Sequence, residues 1–268
     1  MILSLLKSTR LSWTAKNIHM YLLVVTYAYY SHLTTTQPLK ILGGLILVTV
    51  MWGALYALND LTDLKSDSKD KIKSKRPFIQ NKIRLEIIVL FILLLIILVF
   101  AVALISFPAS FTVILLLMII NQIIYTLPPL RLKDSSLAPF SSTGTNNVLR
   151  MASCSVLLNN VFLVPFSVYL LMFLAGMGTY LMYKEKKKWM NGLSVLFCLL
   201  LTYILLVGDM NWMQFLIVIV PPFIATIPLY LSNYLDKNKM ISWADFLYHK
   251  VVLVFYLVAL IIFLIAGY

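Results

Sequence analysis

The 268-residue sequence predicts an all-α, polytopic membrane protein, with nine transmembrane helices bundled around a cavity in one domain spanning residues 1–268. Three observations carry that prediction. Hydrophobic residues make up 61% of the chain and charged residues only 12%, with a mean hydropathy of +0.92, which is too apolar for a soluble domain. The apolar residues fall into nine blocks, most of them close to the ~20 residues that cross a bilayer. Lys and Arg number 22, and 20 of them lie in alternate connections between those blocks.

In chain order, residues 1–16 carry Lys7, Arg10 and Lys16 and suit the membrane surface. They make a poor signal peptide, because the apolar run that follows is rich in Tyr and has no small-residue cleavage pattern. The first span is expected over 17–32, the second over 39–58 and the third over 85–107, ending at Pro108. The fourth, 109–127, stops at Pro128-Pro129, since proline lacks the backbone donor and restricts the residue before it. The fifth, 137–158, is unusual in holding Asn146, Asn147 and Arg150. Spans six to nine follow over 162–183, 190–207, 212–231 and 246–266.

The basic residues fix the expected orientation. Counting Lys250, near the start of the ninth span, with the last of them, alternate connections hold 3, 8, 2, 4 and 3, so by the positive-inside rule the N-terminus is cytoplasmic and the C-terminus outside. The net charge of +12 therefore reports membrane topology, and no nucleic-acid partner is expected. Cys154 and Cys198 both sit in apolar stretches, which excludes a disulfide framework. His19, His32 and His249 lack ligand-like spacing, which excludes zinc.

One stretch concentrates chemistry. Residues 59–67, Asn-Asp-Leu-Thr-Asp-Leu-Lys-Ser-Asp, hold three of the ten acidic residues and follow directly on an apolar span. If the helix continues, Asn59, Asp60, Asp63 and Asp67 fall within a roughly 100° arc while Lys65 and Lys69 point away. Hard oxygen ligands at that spacing suit Mg²⁺ completed by substrate phosphate oxygens. Lys75-Arg76-Pro77 places a phosphate-binding cation close by. The plain alternative is a solvated, mixed-charge loop.

The pattern Asn-Asp-x-x-Asp-x-x-x-Asp, with Arg-Pro nine residues further on, resembles the first aspartate-rich motif of the UbiA superfamily of intramembrane prenyltransferases. A second stretch, Tyr125 to Lys133, resembles the Tyr-x-x-Pro-Pro-Leu-x-x-Lys segment common in the same superfamily. The resemblance implies a cytoplasmic-side active site in which Mg²⁺ sits on Asn59, Asp60, Asp63 and Asp67. Asp60, Asp63, Arg76, Tyr125 and Lys133 would then be catalytic, with Arg76, Tyr125, Arg131 and Lys133 holding the diphosphate of a prenyl donor. The acceptor would be lipidic or aromatic.

The sequence departs from the family after the sixth span. There stands Tyr-Lys-Glu-Lys-Lys-Lys, residues 183–188, with Glu185 the one carboxylate where a second aspartate-rich motif is expected. Lys184 and Glu185 remain candidate substrate contacts, lysines replacing metal ligation by direct phosphate binding; they also read as topology-setting charges. Arg150, costly within a span unless paired, is expected to line a polar cavity with Asn146 and Asn147 or to form a structural hydrogen-bond cluster. Trp13, Lys16-Asn17, Arg150 and the basic second loop are similar to the polyprenyl-phosphate phosphoribosyltransferase branch, which keeps a phosphoribosyl donor open. A degenerate, inactive member also stays open, as does a different class, a transporter or lipid-binding protein. Carboxylates at one membrane edge, away from the bilayer midplane, favour the enzyme.

Overall fold

The computed structural model describes residues 2–10, 13–33, 38–69 and 73–266, and no strand occurs among them. In chain order the longer helical segments are α1 (Ile2–Ser8), α2 (Ala15–Tyr30), α3 (Pro38–Thr62), α4 (Leu85–Ser106) and α5 (Ala109–Thr126). They continue as α6 (Thr145–Leu157), α7 (Phe166–Tyr183), α8 (Lys187–Val207), α9 (Trp212–Leu231) and α10 (Lys237–Ala266).

Local chemistry sets many boundaries. Pro108 and Pro165 occupy the positions just before α5 and α7, where a missing N–H costs nothing. Asn211 and Gln214 form a reciprocal capping box at the start of α9, and the Asp236 side chain accepts from the Lys239 N–H at the start of α10. Gly208 ends α8 in the left-handed region, at φ +78°, where a side chain would be strained.

Among the described residues seven helices, α3 to α5 and α7 to α10, are long and apolar enough to cross a membrane, against the nine expected. The chain is an integral membrane protein. The two remaining segments are shorter, 16 residues in α2 and 13 in α6. The expected fifth span is broken: a π-helical turn at Phe140–Gly144, with Ser142 at φ −86° and ψ −123°, precedes α6 and bends the chain. The expected ninth span is extended instead, α10 beginning at Lys237.

These two short helices form the centre of the bundle. α6 packs against α2, α3, α5 and α7, and α2 packs against α3, α6, α9 and α10. Their residues are buried almost throughout, whereas α4 and α8, with mean hydropathies of 3.7 and 2.2, expose most of their apolar side chains. A helix surrounded by protein can carry polar groups that find partners; one surrounded by lipid cannot. Arg150 accordingly donates from Nε to Asn17 Oδ1 at 2.6 Å, and its guanidinium lies 4.0 Å from the Trp52 ring centroid. Asn17 in turn donates to Thr49 Oγ1 at 3.1 Å, so one amide ties α2, α3 and α6 together.

Close backbone approach fixes α7. A Cβ at Gly176 would meet the Thr143 carbonyl at 2.6 Å, so glycine is what allows α7 to lie against the π turn. At the other end of the molecule, α1 packs on α3 and on a one-turn helix, Pro77–Gln80. It buries Leu5 in a cluster with Ala57, Phe78, Ile88 and Ile92, and leaves Ile2, Leu3 and Leu6 exposed as a surface helix would.

Candidate active site

The acidic stretch does not continue as one helix. α3 ends at Thr62, and Asp63 adopts φ −100°, ψ 3° before a single turn, Leu64–Asp67. The expected shared face of Asn59, Asp60, Asp63 and Asp67 is therefore split, because this break rotates Asp63 away from its neighbours. Asp60 and Asp67, both buried, converge on Arg76: its Nη1 is 3.0 Å from Asp60 Oδ1 and hydrogen-bonds Asp67 Oδ2. Lys73 Nζ approaches Asp67 at 3.7 Å. Asp63 faces the other way, to Lys133 Nζ at 2.6 Å and Arg131 Nη2 at 3.4 Å.

Two clusters thus meet at the end of α3. The loop after α5 supplies the second, where Lys133 also donates to Thr62 Oγ1 at 3.2 Å and Arg131 Nε donates to Asp134 Oδ2 at 2.6 Å. Tyr125, half-buried at the end of α5, lies within electrostatic reach of Asp63 and of Tyr180 on α7. Arg10 completes the first cluster, its Nη2 2.5 Å from the same Asp60 oxygen that Arg76 contacts.

Other expected site residues lie elsewhere. Asn147 donates to the Met172 carbonyl at 3.1 Å, and Asn146 accepts from Asn121 at 2.8 Å, so neither amide shares the Arg150 and Asn17 contact. Glu185 pairs with Lys237 at the surface, and Lys184 Nζ stands 5.9 Å from the Tyr180 ring. The Lys237 ammonium holds the Glu185 carboxyl below its ordinary range, so this exposed pair dissolves only as pH falls through that depressed value.

A cavity of about 180 Å³ lies among α2, α6, α7, α8, α9 and α10. Lys16, Asn147, Tyr183, Asp245 and His249 give it polar lining, and most of the rest is apolar. Asp60, Asp63 and Asp67 do not line it. Trp13 bridges the two regions: its ring stacks on His249 at 5.1 Å and meets Tyr56 edge-on at 6.0 Å.

Among the described residues no three His, Cys, Asp or Glu side chains converge as a closed metal cage. Two carboxylates, Asp60 and Asp67, do converge on one cation, and the adjacent Asn59 Oδ1 is buried without a hydrogen-bond partner. Two carboxylates and a carbonyl-type oxygen fit Mg²⁺, which takes few protein ligands and completes its shell with water and phosphate.

Sequence reasoning missed Arg10 and Asp134. Asp134 was signalled by its i,i+3 spacing from Arg131. Nothing in the linear sequence separates Arg10 from Lys7 or Lys16.

Among the described residues, the chain is a helical bundle with helices apolar enough to span a membrane and with carboxylates and cations gathered at the end of α3, which defines an integral membrane protein with a polar site at one helix end. The chain belongs to the UbiA prenyltransferase family, whose profile matches residues 20–188. No curated protein matches it in sequence. The fold is similar to that of a UbiA homolog from Archaeoglobus fulgidus bound to DMAPP and Mg²⁺, with 16% identity, 96% of this chain and 99% of that chain covered, and a TM-score of 0.68. The same homolog bound to GPP and Mg²⁺ gives 16% identity, 95% and 99% coverage, and 0.69. A digeranylgeranylglyceryl phosphate synthase gives 17%, 98% of each chain, and 0.63.

Proposed function

We propose that the chain is a Mg²⁺-dependent membrane transferase that moves an isoprenyl group from a prenyl diphosphate to a lipidic or aromatic acceptor. In this reading residues 1–268 form one domain of nine crossings, α2 and α6 included, with the site on the cytoplasmic side. The observation that carries the reading is the charge balance at the end of α3. Among the described residues, five cations, Arg10, Lys73, Arg76, Arg131 and Lys133, contact four carboxylates, Asp60, Asp63, Asp67 and Asp134, a set with one positive charge in excess. A bound divalent cation raises that excess to three, which matches the about three negative charges of a diphosphate ester at neutral pH.

In the reaction the bond between the isoprenyl C1 and the diphosphate oxygen breaks, the electron pair leaving with the diphosphate, and the acceptor atom forms a new bond to C1 while its O–H or C–H bond breaks and the proton passes to water or to the released diphosphate. Asn59, Asp60 and Asp67 would hold Mg²⁺, which would neutralise the departing diphosphate, while Asp63 stays in the neighbouring cluster with Lys133 and Arg131. Arg76, Arg131 and Lys133 bind its oxygens as charge-assisted donors, and Tyr125 stands beside them to orient it. The cavity behind Trp13 shelters the apolar part of the substrates from water, Asn147 at its polar end. The two UbiA homolog structures that hold a prenyl diphosphate with Mg²⁺ support this choice of ligands by likeness of fold. Purified protein in nanodiscs tests it: radiolabelled isoprenyl diphosphates are expected to yield a lipid-soluble product in a Mg²⁺-dependent way. Product from phosphoribosyl diphosphate and none from any isoprenyl diphosphate would replace the donor.

A further inference from the structure

We propose that Arg10, delivered by the N-terminal helix, is a donor-binding residue that grips the diphosphate beside Arg76. The inference rests on the reading of the α3 clusters as a diphosphate site. Three features of Arg10 set it apart from the other basic residues near the N-terminus.

The first is convergence. Arg10 Nη2 and Arg76 Nη1 approach the same oxygen, Asp60 Oδ1, at 2.5 and 3.0 Å. Arg76 also pairs with Asp67, which Lys73 approaches, so three cations, Arg10, Arg76 and Lys73, meet two carboxylates, and positive charge remains at the point where an anion would bind. The second is orientation. The Arg10 guanidinium carbon lies 5.3 Å from the Trp13 ring centroid and 5.6 Å from that of Tyr56, so two aromatic rings flank it. Of its five N–H donors, one is engaged by Asp60, and the side chain is still 22% exposed. The third is backbone strain. Arg10 has φ +51°, a conformation rarely adopted by a residue with a Cβ, and it persists where surrounding packing enforces it. Two residues before Arg10, α1 ends, and it docks through Leu5 against Phe78 of the one-turn helix Pro77–Gln80, which Arg76 immediately precedes.

The consequence is that α1 belongs to the binding site. A purely structural Arg10 would serve only to anchor α1 on Asp60, and the two roles give different binding results.

The test uses full-length protein in nanodiscs with inorganic pyrophosphate and Mg²⁺ as the probe, measured by calorimetry. Arg10→Ala and the size-matched Arg10→Gln are expected to weaken pyrophosphate binding about ten- to hundredfold, as does Arg76→Ala. Trp13 emission, taken as the difference from Trp13→Phe, is expected to respond to pyrophosphate in the wild type and not in Arg10→Gln. Wild-type affinity in a folded Arg10→Gln protein, alongside weakened binding in Arg76→Ala, overturns the proposal and leaves the diphosphate site standing. A wild-type protein that binds no pyrophosphate with Mg²⁺ overturns the site itself, and Arg10's role with it.

Discussion

Single residues in this protein act through whom they face. Asp60 and Asp63 are one helical turn apart in sequence, yet Asp60 is held by two arginines while Asp63 is held chiefly by Lys133. Asp60→Asn and Asp63→Asn are each expected to abolish release of diphosphate from a radiolabelled prenyl donor. Both should leave the protein inserted and folded, as judged by its melting transition; full turnover in both would remove the metal reading. Lys133→Ala should weaken donor binding by roughly 1.5–3 kcal/mol, since it removes a charge-assisted contact, and titration with the prenyl diphosphate measures it. In the core, Asn17→Leu takes the acceptor from the buried Arg150 Nε and should cost about 1–3 kcal/mol of stability, read as a lower melting temperature. The acidic residues were legible in sequence because their spacing is local. Arg10 was not, since its partner Asp60 stands 50 positions away.

At the scale of helices and loops, the legible features were those set by composition and proline. The starts of α4, α5 and α9 agree with the apolar blocks and their punctuation. Two features escaped. The break at Asp63 falls in a run of Asn, Asp, Thr and Ser, any of which can end a helix, so the sequence does not mark which one does. The π turn before α6 depends on α7 lying against it, a tertiary contact. Gly176→Val is therefore expected to force α7 off the Thr143 carbonyl and lower the melting temperature markedly, whereas Gly192→Val, facing open space, should be nearly neutral. The loop after α7 gives the opposite expectation. Its Glu185 is 47% exposed and the partner on α10, Lys237, 51%, so Glu185→Gln should leave stability and Mg²⁺ dependence close to wild type. A sharply weakened Mg²⁺ response in that variant would bring the loop back into the site.

For the whole molecule, hydropathy made the membrane class plain and blurred the number of crossings, because the innermost helices are the least lipid-like. α6 is short and polar for the same reason that it is central: its side chains meet protein. Fusions of a reporter after Tyr268 check the topology, with nine crossings placing it outside and an even number placing it in the cytoplasm. The burial of Arg150 also bears on how the protein is made. An arginine at the middle of a membrane segment costs ~2.5–3.5 kcal/mol at insertion, and its relief, Asn17, is synthesised 133 residues earlier. The segment around α6 should thus fail to enter a bilayer when expressed alone and succeed once α2 and α3 are already in place. Assembly of the bundle is in that sense a matter of timing, with the first-made helices keeping a polar berth ready for a later one that lipid would refuse.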